Sequence, residues 1–230
     1  MKKVLSMVLA VAMMVSVFAL YGSSAFAADE AIKIGGIGPV TGPAAIYGKA
    51  VETAMKIAVD EVNALGGVQF ELNFQDDAHD AETSVNAYGN LMDWGMQVLI
   101  GTVTSTPCAA VAAEAAADHI FVLTPSASSP TVTEGKTNVF QMCFSDPNQG
   151  VASADYISAN GLSDAIAVIY NNGDAYSTGI YEKFVSEAAE KGLNIVYTGT
   201  FTDDSATDFS SQLTAARDAG ADMLFLPIYY

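Results

Sequence analysis

VLIGTVTSTPCAAVAAEAAADHIFVLTPSASSP, residues 98–130, reads as one βαβ unit. The apolar run Val98 to Ile100 meets Gly101 and a hydroxyl-rich loop. An alanine-rich helix follows, and a second apolar run, 120–123, ends in another hydroxyl-rich loop. The two strands of such a unit run in the same direction, so both loops emerge at one sheet edge. Open parallel sheets bind their ligands there, beyond the carboxyl ends of the strands.

The first loop suits an anion. Thr106 is the expected helix cap, and Pro107 fits the first turn, where a missing N–H is no loss. Free amides and the positive end of the helix dipole then face Ser105. The second loop, Ser126-Ala127-Ser128-Ser129-Pro130, adds hydroxyls and backbone groups but no charged side chain. A carboxylate would be gripped there without a counter-ion. Either loop alone reads as an ordinary helix cap; two on neighbouring strands point to a site. Ser105→Ala is therefore expected to weaken binding and to leave the stability of the unliganded chain nearly unchanged.

Outward from this unit, strand, loop and helix alternate. Upstream, a strand over 31–37 runs into Gly38-Pro39-Val40-Thr41-Gly42-Pro43. A helix over 50–65 carries Val51, Met55, Ala58, Val62 and Leu65 on one face and ends at Gly66-Gly67. A strand through Phe70, Leu72 and Phe74 leads into Asp76-Asp77-Ala78-His79-Asp80 and a helix over 81–94. Downstream, a strand ends near Cys143. Ser145-Asp146-Pro147-Asn148-Gln149-Gly150 then interrupts the alternation, and a crossing between two lobes is expected there. Helices over 151–160, 177–191 and 208–219 and strands over 165–170, 194–200 and 223–227 follow.

The expected fold class is α/β, with two Rossmann-like lobes. Each lobe is an open, mostly parallel sheet with helices on both faces. The first lobe covers 28–146 and the second 147–230. The second lobe reads as incomplete, because no helix follows its last apolar strand. A C-terminally truncated chain, unstable or self-associating alone, is the expectation.

Lys2 and Lys3, an apolar run over 4–20 and Ala25-Phe26-Ala27 form a secretory signal peptide, cleaved after Ala27. An uncleaved anchor is the alternative, and the polar Gly22-Ser23-Ser24 disfavours it. Without the leader, seven of the nine basic residues face 26 acidic ones, a formal charge of −19. Such a surface repels phosphates, so nucleic acid and anionic lipid are poor partners and no nucleic acid is expected. Cys108 and Cys143 are the only cysteines. An exported chain permits one disulfide between them, and two thiols are the alternative.

Other chemistry is set aside on spacing. Gly36-x-Gly38 has Thr41 where a dinucleotide loop needs its third glycine, so no cofactor is expected. Asp76, Asp77, His79 and Asp80 have metal-ligand chemistry, but a loop with Asp80 capping the next helix explains them, so no metal is expected. An enzyme with Ser105 as nucleophile lacks a base, because neither histidine falls in the serine loops. Cys108 and His119 sit at opposite ends of one helix.

The ordered series Gly38-Pro-Val-Thr-Gly-Pro with Tyr47-Gly48, Asp76-Asp77, Ile100-Gly101 with Ser105, Thr124-Pro125-Ser126-Ala127-Ser128-Ser129-Pro130 and Asp146 before Gln149-Gly150 resembles the type I periplasmic substrate-binding proteins. Asp174-Ala175-Tyr176-Ser177-Thr178-Gly179 and Thr207-Asp208-Phe209 extend the match. The resemblance is to the leucine/isoleucine/valine-binding class that serves ABC transporters. It implies a non-enzymatic protein, periplasmic or secreted, which captures a small zwitterion, a branched-chain or other amino acid, between two lobes. An ABC transporter permease would be its partner, and the full-length protein would be a monomer without cofactor. A ligand-sensing receptor for amino acids or small amides is the alternative.

The resemblance also implies roles. Ser105 and Ser128 would hold the α-carboxylate. The backbone of Ser126 would meet the ammonium, with Ala127 beside it. Tyr47 would wall the pocket from the first lobe, and Tyr176 and Tyr229 from the second, with Asp146 near the crossing. Two departures stand out. Where the leucine-binding type often carries a disulfide, this chain has His79 and Thr104. The family's acidic partner for the ammonium comes from a region beyond Tyr230.

Overall fold

The computed structural model describes residues 30–229, so the leader expected over 1–27 lies outside the described residues. The described chain builds two sheets in which every pairing is parallel. The first has the order β2-β1-β3-β4-β5. Its strands are β1 (Ile32–Gly38), β2 (Phe70–Asp76), β3 (Val98–Gly101), β4 (Phe121–Thr124) and β5 (Val139–Gln141). The second has the order β7-β6-β8, from β6 (Ile166–Asn171), β7 (Ile195–Phe201) and β8 (Met223–Phe225). Between them run α1 (Ala45–Ala64), α2 (Ala81–Trp94), α3 (Ser105–Ala117), α4 (Asp146–Asn160), α5 (Ala175–Lys191) and α6 (Ser210–Asp218). This is the expected α/β architecture of two parallel sheets with intervening helices.

The register aligns the loops. Ile37 pairs with Gly101, and Ile100 with Leu123, so the chain leaves β1, β3 and β4 at one edge. At Gly101, φ is +131°, and an added Cβ would lie 2.5 Å from the Ile37 carbonyl oxygen, so only glycine fits where the first serine loop begins. Adjacent strand residues point to opposite faces. Gly35 faces Leu91 and Met96, whereas Gly36 faces Met55 and Phe74, which puts α1 and α2 on opposite faces. These glycines accommodate neighbouring side chains rather than a phosphate.

The first core gathers Leu99, Val122 and Val139 of the sheet under Leu91, Val111, Ala112 and Ala115 of α2 and α3. Alanines let α3 lie close to the sheet, and each buried Leu or Val contributes about 1.5–3 kcal/mol. The second core packs Ile166 and Val168 against Phe184 and Ala188 of α5, with Ala154 and Ile157 of α4. The Phe184 and Phe225 rings stack at 3.9 Å. No helix among the described residues is long and apolar enough to cross a membrane.

Several boundaries differ from the sequence reading: α1 begins at Ala45 rather than 50, and two further differences bear on the site. The segment 145–150, expected to interrupt the chain between lobes, is helical from Asp146 onward. Pro147 stands in the first turn, where its missing N–H costs nothing. Gly150 is a packing contact, since a Cβ there would lie 2.5 Å from the Ile180 carbonyl oxygen of α5. Helix α3 begins at Ser105, with Thr104 as its N-cap residue, so Thr106 is not the cap. Asp80, by contrast, caps α2 as expected, accepting from the Thr83 amide at 2.7 Å.

Candidate functional site

The structure brings the two serine loops together. Ser105 Oγ accepts from the Ser128 amide at 3.1 Å and the Ser129 amide at 3.2 Å. Ser105 is fully buried and Ser128 nearly so. Thr124 Oγ1 shapes the loop from beneath, accepting from the Ala127 amide at 2.9 Å and donating to the Thr102 carbonyl at 2.7 Å. The Cys143 thiol donates to the carbonyls of Ser126 and Ala127 at 3.2 and 3.4 Å. Both cysteines are free thiols, so the permitted disulfide is not formed. Burial pushes the Cys108 thiol up to about 11. Because Ser105 Oγ is the acceptor for two buried amides, its removal is not neutral for the unliganded chain, contrary to the sequence reading.

Three of the expected aromatic residues meet above this clasp. Tyr229 stacks on Tyr176 at 4.5 Å and meets Tyr47 and His79 edge-on, each at 5.3 Å. Its phenol oxygen accepts from the Ser105 amide at 3.5 Å. Burial, with the Asp174 charge adding to it, holds the phenol well above its ordinary range.

Asp146 is fully buried, and its amide donates to the Ser128 carbonyl at 3.0 Å, tying the first turn of α4 to the second serine loop. Its side chain caps nothing, and Oδ2 has no hydrogen-bond partner. Burial raises its carboxyl to about 7, with the Asp174 charge adding, against the opposing pull of Ser128 and Gln149. Asp76 instead serves the loop after β1, accepting from the amides of Val40 and Ala78 at 2.8 and 2.9 Å and from the Thr41 hydroxyl.

Residues to which the sequence reading gave other roles join the loops of the two sheets. Thr106 Oγ1 donates to Asp174 Oδ1 at 2.9 Å and accepts from the Ala175 amide at 3.0 Å. His79 Nδ1 lies 2.9 Å from Thr104 Oγ1, and Nε2 lies 3.9 Å from Asp203 Oδ2. His79 and Thr104 stand where the leucine-binding type often carries a disulfide; here a hydrogen bond joins them. A cavity of about 650 Å³ opens beside this contact, walled by His79, Asn171, Asp174, Phe201, Asp203 and Tyr229 among others. Carboxylates and His79 line it, and no lysine or arginine does; Ser105 and Ser128 are not among its walls. Among the described residues, no group of three or more His, Cys, Asp or Glu side chains converges as a metal site.

Residues 31–228 match the family described as periplasmic binding protein. The chain belongs to the periplasmic binding protein family. It is 32% identical over 210 residues to Leu/Ile/Val-binding protein homolog 3 of Brucella melitensis, covering 90% of this chain and 56% of that protein. It is 27% identical to the leucine-, isoleucine-, valine-, threonine- and alanine-binding protein of Pseudomonas aeruginosa, covering 95% and 58%. Among solved structures, leucine-binding LivK of Thermotoga maritima superposes with a TM-score of 0.80 at 28% identity, over 85% of this chain and 55% of that one. LivJ of Streptococcus pneumoniae, in complex with isoleucine, gives 0.79 at 28%, over 86% and 57%. The two-sheet fold of this family member is therefore the type I periplasmic binding protein fold. The chain spans little more than half the length of the relatives it matches.

Proposed function

We propose that this chain is the ligand-capturing part of an extracytoplasmic substrate-binding protein, periplasmic or secreted after cleavage at Ala27. Its lobes, 28–146 and 147–230, would close on a small zwitterion and deliver it to an ABC transporter permease, the full-length protein acting as a monomer. The observation that carries the reading is the Ser105 clasp on the Ser128 and Ser129 amides, set beneath Tyr47, Tyr176 and Tyr229. Ser105 keeps its own O–H proton to donate to a carboxylate after accepting two amides. Asp174 at the start of α5, and Asp146 beside the second serine loop, offer negative charge suited to an ammonium. The tyrosine faces suit an aliphatic side chain, and the relatives named for leucine, isoleucine and valine support that class.

Catalysis is not part of this reading. Both ring nitrogens of His79 face other groups, Thr104 and Asp203, which leaves Ser105 without a base. Thermal unfolding of the full-length protein with each common amino acid tests the proposal. A ligand at a hundred times its dissociation constant adds about 2.7 kcal/mol, so leucine, isoleucine or valine should raise the transition clearly. No shift with any amino acid would overturn it.

A further inference from the structure

Thr106 belongs to the first lobe, and its hydroxyl makes two hydrogen bonds, both to the second. It donates to Asp174 Oδ1 at 2.9 Å and accepts from the Ala175 amide at 3.0 Å. Both partners stand at the start of α5, where Asp174 is the N-cap residue and its other oxygen accepts from the Ser177 amide at 3.0 Å. An N-cap carboxylate and a first-turn amide have fixed positions, so the second lobe presents an acceptor and a donor side by side. One threonine hydroxyl, itself fixed in the first turn of α3, satisfies both at once. Neither bond involves the Ser105 clasp, and Thr106 is not among the walls of the cavity.

From this geometry we infer that Thr106 is a closure latch: a positioning residue that stabilises the shut arrangement of the lobes whatever the ligand is. This deepens the proposed function and rests on it for the binding readout. A latch acts on the population of the competent state, and apparent affinity falls in proportion to that population. In an opened cleft, water would solvate Asp174 and the Ala175 amide, so losing the hydroxyl penalises only the closed form. The His79–Asp203 contact at 3.9 Å crosses the cleft at another point, so closure would be weakened rather than abolished.

The test uses Thr106→Val, which keeps the shape and removes the hydroxyl, and Thr106→Ser, which restores it. Small-angle scattering of the unliganded full-length protein reads the inference without any ligand: Thr106→Ser should match wild type, and Thr106→Val should be more extended. Calorimetric titration should then give about a tenfold loss of affinity in Thr106→Val, equal across all amino acids that bind, as expected for one hydrogen bond to a charged group. Recovery in Thr106→Ser completes the expectation. Unchanged scattering and affinity in Thr106→Val would overturn the latch, and so would a loss confined to one ligand, which would place Thr106 against the ligand. If wild type binds no amino acid yet Thr106→Val still opens, the ligand assignment fails and the latch stands.

Discussion

The two sides of the cleft solve opposite electrostatic problems. On the first-lobe side, Ser105, Thr124 and the backbone around Ser128 are neutral and already paired with one another. Neutral, paired groups can be buried at little cost. At the starts of α4 and α5, the helices that pack on the second sheet, Asp146 and Asp174 are buried carboxylates whose pKa values burial raises. On the proposed reading, the first side would cradle negative charge, and the second holds negative charge, with Asp146 Oδ2 left without a hydrogen-bond partner. A molecule with a carboxylate at one end and an ammonium at the other relieves both.

The cradle can be broken at its base. Gly101→Ala forces a Cβ to within 2.5 Å of the Ile37 carbonyl at a positive φ, so the loop that carries Ser105 must shift. A loss of about 3 kcal/mol in chemical unfolding is expected from strain and overpacking together. Stability within 0.5 kcal/mol of wild type, on the order of an ordinary surface change, would contradict the close approach.

Asp146→Asn sharpens the contrast from the other side. The native carboxyl titrates at about 7 against an ordinary 3.8, so the folded state binds more protons than the unfolded one between these values. Stability therefore falls as pH rises from about 4 to 7, and the penalty is complete above the folded pKa. The neutral variant escapes it, so it should exceed wild type by about 2 kcal/mol at pH 8, with the gap closing towards pH 4. A gap that is absent, or that widens as pH falls, would contradict this.

Ser105→Ala leaves the Ser128 and Ser129 amides without their acceptor. Its unliganded chain should lose about 1.5 kcal/mol in thermal unfolding, besides weakening affinity for any carboxylate ligand. Retained stability would show that the clasp carries no weight without ligand.

What was legible in the sequence follows from how local each signal is. The helix Ala81–Trp94 was readable to the residue, because Asp80 caps it from its own neighbourhood and Gly95 ends it in the left-handed conformation. The meeting of the Ser105 and Ser128 loops was readable from the βαβ pattern, since parallel register fixes where both strands end. Thr106 was misread because a hydroxyl near a helix start has two uses. The choice between them lies with Asp174, which is 68 residues away. Pro147 and Gly150 were misread for a similar reason: their breaking tendency is cancelled by first-turn geometry and by contact with α5, neither of which is encoded locally. The cysteine partners depended on tertiary placement in the same way.

The claim at the centre is that the two sides of the cleft recognise opposite ends of one molecule. Calorimetric titration of the full-length protein with leucine, with 4-methylpentanoic acid, which lacks the ammonium, and with 3-methylbutylamine, which lacks the carboxylate, tests it most directly. Each missing charged end removes hydrogen bonds worth about 1.5–3 kcal/mol apiece, so both half-molecules should bind at least about tenfold more weakly than leucine. Either half-molecule binding as tightly as leucine would contradict the account.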